Sequence, residues 1–358
     1  MMSPDKLIFP NCLNEVILPA ELPPIVLVAF TRPELLEEVL SAISQQSLLP
    51  QQILAFVDGP RTARDGPLIR QCISLLETFS QQIPVEIVVR PHNLGCDRNV
   101  ISALTEVFSV HSTLVYLEDD VVPNPCFYDR MCRLLETYRN HQQVCSVSAY
   151  ANFPQELEPL IERDFIVSNR VFALGFGTWA DRWHELNLSN QPQGYNPFKK
   201  FYNIPATIQT KYTLVNQFFL EKNIQADWVI TLTLNALFNN RVHITPKVSF
   251  VRNIGCGHPE AKTYRGSEPA WINARYEPSA RPNSLPSSLE LSEILASPLK
   301  GLALARHLEN YSGLWLSLSA IRHFLWKYPG LQNMAAFLKL FLFRLPILLR
   351  RWRSGLPI

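Results

Sequence analysis

Between Pro24 and about Ser148, short apolar runs alternate with segments in which apolar residues recur every three or four positions. The runs Ile25 to Phe30, Ile53 to Val57, Val85 to Val89, Leu114 to Leu117 and Val144 to Val147 are brief, rich in β-branched residues and flanked by turn residues, which predicts buried strands. The best-marked helix begins at Thr31-Arg32-Pro33-Glu34, which has the capping-box pattern, and continues through Leu35, Leu36, Val39, Leu40 and Ile43 at helical spacing. Such alternation predicts an α/β fold with a mostly parallel sheet wound by right-handed crossovers. Ligands of such sheets bind beyond the strand C-termini, where Thr31, Arg32, Asp58, Gly59 and the Glu118-Asp119-Asp120 cluster would converge.

That cluster changes the picture most. The run Ser112-Thr113-Leu114-Val115-Tyr116-Leu117 ends in three adjacent carboxylates, which repel one another unless a divalent cation and a phosphate group share their charge. If the strand continued, alternation would aim Glu118 and Asp120 one way and Asp119 the other, so that one pair meets the ligand. The alternative is a solvated acidic turn ahead of the helix that Pro123-Asn124-Pro125 announces.

Composition narrows the class. The 358 residues, 47% of them hydrophobic, can fill one large domain plus an appendage. A net charge of +2, with no basic stripe in the first 270 residues, gives no footing for nucleic acid. Seven cysteines without a C-x-x-C pair predict reduced, mostly buried thiols. The N-terminus has no basic region followed by a continuous apolar stretch, so a cytoplasmic catalytic part is expected. No G-x-G-x-x-G follows the first strand and no G-x-x-x-x-G-K-[ST] occurs, which disfavours dinucleotide oxidoreductases and P-loop enzymes.

In their place stand A-F-T-R-P, V-D-G, R-P-H-N-L-G, a helix, L-E-D-D-V-V-P, then G-F-G-T-W and A-D-W. This order resembles the GT-A glycosyltransferases, most of all the inverting N-acetylglucosaminyltransferase I type and its bacterial relatives, over roughly Pro23 to His258. The resemblance implies a GT-A (Rossmann-like) sheet flanked by helices and a nucleotide-diphosphate sugar donor. It also implies a divalent metal, manganese or magnesium, held by Asp120. Glu118 and Asp119 would support ribose contacts or metal-bound water, Arg32 would match the basic residue after strand one, and Asp58 would read the base. Arg32 could instead be a solvated first-turn residue and Asp58-Gly59 only a turn. A nucleotide contact in the helix after Asn93-Leu94-Gly95 would fall to Asp97 or Arg98, although Gly95 could simply permit a turn with Asn93 or Asp97 as its cap.

The second half would supply the acceptor side. Phe176, Trp179 and Trp183, spaced as on a helix, read as core more than as a sugar platform. Asp227 resembles the family's general base, with an N-cap of the Val229 to Phe238 helix as the compatible alternative and Glu221 as a weaker substitute. The glycine-rich loop ending at His258 would let amides approach a diphosphate, and His258 could add a metal or phosphate contact.

The expected organisation is a tail over 1–22, a catalytic domain over 23–270 with a nucleotide-sugar half (23–150) and an acceptor half (151–270), a Pro/Ser-rich linker over 271–300, and a basic helical tail over 301–358. From Asn310 onward there are seven basic residues and no acid, interleaved with Trp315, Trp326, Phe337, Phe341, Phe343 and Trp352. The apolar segment Met334 to Leu349 is interrupted by Lys339, Arg344 and Pro346 and falls short of the ~20 residues that span a bilayer, which favours helices lying on an anionic membrane surface, with a helical cap or dimer contact as the alternative. The whole predicts a metal-dependent inverting glycosyltransferase acting on a glycan or lipid-linked acceptor. A sugar nucleotidyltransferase would carry a glycine-rich basic loop after strand one, and a carbohydrate-binding or assembly protein would not need Asp120 and Asp227 together.

Overall fold

The computed structural model describes residues 10–152, 158–159, 161–168, 171–186, 228–261, 268, 272–287, 291 and separated positions between 322 and 353. Among these residues are ten strands: β1 (Ile25–Ala29), β2 (Ile53–Val57), β3 (Val85–Val89), β4 (Thr113–Glu118), β5 (Val121–Pro123), β6 (Val144–Ser148), β7 (Phe165–Ser168), β8 (Phe176–Trp179), β9 (Val242–Pro246) and β10 (Val251–Asn253). Helices α1 (Pro33–Ser44), α2 (Asp65–Phe79), α3 (Cys96–Val107), α4 (Phe127–Tyr138), α5 (Ala180–His184) and α6 (Trp228–Phe238) accompany them. All five expected strands form.

Eight strands make one sheet in the order β3-β2-β1-β4-β8-β6-β9-β7. β1 pairs in parallel with β2 and β4, β2 with β3, and β6 with β9, while β8 and β7 run antiparallel to their neighbours. This is the α/β architecture expected, a mostly parallel sheet with helices on both faces. β1 shows why its residues are apolar throughout. Ile25, Leu27 and Ala29 face a core shared with α1, α2 and α4, whereas Val26 and Val28 face α3, Trp183 and α6. All five apolar residues expected on α1 are buried, each contributing about 1.5–3 kcal/mol.

Some expectations are corrected. The capping box does not form: α1 starts at Pro33 with Arg32 as its N-cap and no side-chain cap, because Thr31 lies one residue too early. Phe176 and Trp179 are buried as expected, but on strand β8 and not on a helix, with only Trp183 in α5. Gly95, at φ 79°, is the N-cap of α3, so neither Asn93 nor Asp97 caps it. The described part of the predicted linker packs against the core instead of running free. Asp164 accepts from the Asn283 and Ser284 amides (both 2.8 Å), the Leu13 amide reaches the Asn283 carbonyl (2.8 Å), and Leu285 and Leu291 are buried. Proline and serine content hid these long-range backbone bonds. In the tail, the described positions are helical apart from 329 and 330.

Candidate functional site at the sheet edge

Because β1, β2 and β4 are parallel neighbours, the residues that follow them emerge at one edge. Arg32, after β1, meets both carboxylates after β4. Its guanidinium pairs with Asp119 through Nη2 and Nε (the latter 3.3 Å to Oδ2) and with Asp120 Oδ2 through Nη1 at 2.7 Å. The Phe30 amide also donates to Asp119 Oδ2 (3.3 Å). Asp119 and Asp120 therefore converge on one cation, and the expected pairing of Glu118 with Asp120 against Asp119 is corrected. β4 ends at Glu118 and the chain turns at once, so strand alternation stops applying. The solvated-turn alternative also fails, since Asp119 and Asp120 are only 2% and 8% exposed.

Burying carboxylates beside one cation perturbs Glu118 and Asp119. Burial, and then the charge of Asp120, push Glu118 up to about 7 even though its side chain keeps an opening to solvent. Burial also raises Asp119, against the pull of Arg32. For Arg32, burial opposes the charge, but Asp119, Asp120 and Glu118 together outweigh it and the guanidinium stays firmly protonated.

The second loop comes from β10, which pairs antiparallel with β5. That pairing lays Ile254-Gly255-Cys256 across Asp120, with the Ile254 amide donating to the Asp120 carbonyl at 2.9 Å. A Cβ on Gly255 would stand 2.1 Å from Asp120 Oδ2, so only glycine fits. The glycine thus admits a carboxylate of the chain itself, where an approaching diphosphate was expected. His258, at the end of this loop, donates to Glu34 Oε1 at 2.6 Å through Nε2 and accepts the Glu260 amide at 3.0 Å through Nδ1. Both nitrogens have protein partners, so a metal or phosphate contact by His258 would require breaking one.

Asp58, the expected base reader, is bonded within the chain itself. It is 3% exposed, and its two oxygens accept from the Gly59 amide (2.9 Å), Leu94 amide (2.8 Å), Gly95 amide (3.0 Å) and Asn93 Nδ2 (3.0 Å). Four donors fill the carboxylate, which clasps the Asn93-Leu94-Gly95 turn. Arg98 is exposed on the first turn of α3. Thr31 is buried at the edge and its Oγ1 has no hydrogen-bond partner. Asp227 and Glu221 lie outside the described residues.

Sequence reasoning passed over Arg61, in the loop after β2. It bonds Asp65 and Glu260 (3.0 and 2.6 Å) and covers the Phe30 ring at 4.7 Å, tying the β2 loop to the loop that carries His258. Its only signal was an arginine three residues beyond Asp58.

A hard cation is compatible with this donor set. Asp120 Oδ1 is buried with no hydrogen-bond partner, and one arginine faces three carboxylates. Among the described residues no three His, Cys, Asp or Glu side chains gather into a ligand set. A cation here would therefore rest on one or two carboxylates and take its remaining oxygens from a diphosphate and water, as magnesium-like ions often do.

No family model and no curated sequence matches the chain. Among solved structures, S. aureus TarS is similar to 46% of this chain at 10% identity and TM-score 0.33, and the chain spans 30% of its length. The mannosyltransferase PcManGT from Pyrobaculum calidifontis, in complex with GDP-Man and Mn2+, is similar over 95% of this chain and 86% of its own at 12% identity and TM-score 0.36. UDP-glucose pyrophosphorylase complexed with UDP-glucose is similar over 63% and 90%, at 10% identity and TM-score 0.36. At these scores the likenesses carry no argument about activity, and the strand order above is what defines the fold class.

Proposed function

We propose that the chain is a metal-dependent inverting glycosyltransferase that moves a sugar from a nucleotide-diphosphate sugar to a hydroxyl of a glycan or lipid-linked acceptor. The observation that carries this reading is the buried Arg32-Asp119-Asp120 cluster at the C-terminal edge of a parallel sheet, with one Asp120 oxygen unpartnered. Clustering three carboxylates there is costly for stability alone and useful where a cation and a diphosphate meet. Asp120 would hold manganese or magnesium, with Glu118 and Asp119 around it. Bound metal would offset the negative charge that develops on the departing diphosphate. Arg32, released in part from the carboxylates, would face the phosphates, and Arg98 and Thr31 would lie within the donor's reach. Asp227 would take the proton of the acceptor hydroxyl on the opposite face of the sugar. The PcManGT complex with GDP-Man and Mn2+ is in keeping with this choice of donor and metal, though it does not carry it.

Calorimetry with uridine, guanosine and thymidine diphosphates, with and without manganese, tests the reading. One of them should bind in a manganese-dependent way, and Asp120→Asn should remove that dependence because an amide lacks the charge a hard cation prefers. Asp227→Asn should keep donor binding and lower turnover by about 10²–10⁴-fold. Manganese-dependent binding that survives in folded Asp120→Asn would take Asp120 out of the metal site, and near-normal transfer by Asp227→Asn would move the base to Glu221 or beyond. Release of pyrophosphate from a sugar phosphate and a nucleoside triphosphate would instead identify a nucleotidyltransferase.

A further inference from the structure

Six described helical residues of the tail share one face. Leu331, Met334, Leu338, Leu342, Leu345 and Leu349 all fall within an arc of about 100° when each residue advances a helix by about 100°. Every one of them is exposed, between 37% for Leu345 and 85% for Leu331, and Trp326 ahead of them is 80% exposed. Six large apolar side chains left in water on one side form a face that requires a partner. Among the described residues, the exposed large apolar side chains outside the tail are scattered singly: Ile17, Leu49, Val89, Val110 and Phe238.

Charge selects the partner. Residues 310–358 contain seven basic side chains and no acidic one, and Arg322 and Arg353, exposed beyond the two ends of the stripe, are among them. Packing these faces of two copies together would bring the seven positive charges of each tail segment side by side with no acid in either segment to answer them, which opposes self-association. An anionic lipid surface answers both features at once. The leucines enter the acyl boundary and the basic side chains meet the headgroups. No helix of the described residues is long and apolar enough to cross a membrane, which suits a helix lying in the interface plane.

We infer that this face docks the protein on an anionic lipid surface, with the stripe from Leu331 to Leu349 inserted and the basic residues flanking it against the headgroups. The inference does not depend on the proposed activity. The full chain would be tested by flotation with vesicles of phosphatidylcholine alone and of phosphatidylcholine with phosphatidylglycerol, at low and at high salt. Recovery with the anionic vesicles should exceed that with phosphatidylcholine at least tenfold and should fall several-fold at high salt. The double variant Leu338→Asp, Leu342→Asp changes exposed residues only, so it should melt at the wild-type temperature and lose at least tenfold in vesicle binding. Light scattering of the lipid-free chain should give the monomer mass. Equal recovery with neutral and anionic vesicles, or no flotation at all, overturns the inference whatever the variant does. A doubled mass in solution that the double variant abolishes, without flotation, identifies a second copy as the occupant instead. Manganese-dependent nucleotide binding, measured in parallel without lipid, reports on the activity separately, so failure of one reading leaves the other judged on its own result.

Discussion

Asp58 follows β2 and Asp120 follows β4, on either side of β1, so both carboxylates reach the same edge of the same sheet. They are equally well buried, at 3% and 8% exposure, yet the chain treats them differently. Asp58 receives four donors, three of them backbone amides, and has nothing left to offer a ligand. Asp120 shares one arginine with Asp119, presses against a glycine, and keeps an oxygen without a partner. A carboxylate saturated by amides stabilises a turn. One crowded by other carboxylates and left partly unpaired costs stability unless something else binds there. The contrast separates a saturated carboxylate from one with room for a further partner among residues that look alike in the sequence.

The largest effect should come from breaking the saturated side. Asp58→Ala removes the acceptor of the Gly59, Leu94 and Gly95 amides and of Asn93, and each buried donor left unpaired costs about 1–3 kcal/mol, so a loss of about 3 kcal/mol or more is expected. Denaturant unfolding measures it, and added manganese should restore none of it. A loss below about 1 kcal/mol would mean that water replaces the carboxylate and that Asp58 is not a structural clasp.

On the crowded side the arginine is the residue to remove. Arg32→Gln leaves Asp119 and Asp120 buried without their counter-charge, and breaking a buried pair from one side costs about 3–5 kcal/mol, toward the lower end here because Glu118 and Asp119 can take up protons. Here, unlike at Asp58, millimolar manganese should recover part of the lost stability, because a divalent cation can replace the guanidinium as neutralising charge. Thermal melting with and without the metal distinguishes the two sites. Identical behaviour of Arg32→Gln and Asp58→Ala toward manganese would erase the contrast between them.

How far these roles could be read from the residues depends on the range of the interaction. The strands were legible because a strand buried on both faces must be apolar throughout, as Ile25 to Ala29 are, and α1 because its five apolar positions have helical spacing. The convergence of Arg32 with Asp119 and Asp120 followed from parallel order alone. What failed depended on geometry that no local pattern encodes. The chain turns at Asp119 instead of extending, which reversed the predicted face of that carboxylate. Asp58 is filled by amides of residues 94 and 95, more than thirty positions away, and a motif cannot show that an acceptor is already occupied. The Pro/Ser-rich segment lacks periodicity, yet its amides donate to the Asp164 carboxylate and the Asn283 carbonyl accepts the Leu13 amide, which composition does not report.

The smallest effect, and the finest test of crowding, lies in the pH dependence of Glu118. In the metal-free protein its carboxyl is held up at about 7 by burial and then by Asp120, whereas in the unfolded chain it titrates near its ordinary value, about 4.3. Between those values the folded state binds more protons than the unfolded state, so stability falls as pH rises from about 4.3 to about 7 and the loss is complete above that. The slope cannot exceed about 1.4 kcal/mol per pH unit and should be smaller, because the side chain keeps an opening to solvent. Glu118→Gln cannot ionise and should lack this component, matching wild type near pH 4.5 and gaining on it toward pH 8. Manganese should shrink the difference between the two proteins at pH 8, since a cation sharing the cluster favours the ionised carboxylate. Urea unfolding at several pH values, with chelator and then with metal, reads all three outcomes. Parallel wild-type and Glu118→Gln curves across the range would show that the carboxylates after β4 are no more strained than Asp58, and the distinction between the two sides of β1 would then rest on hydrogen bonding alone.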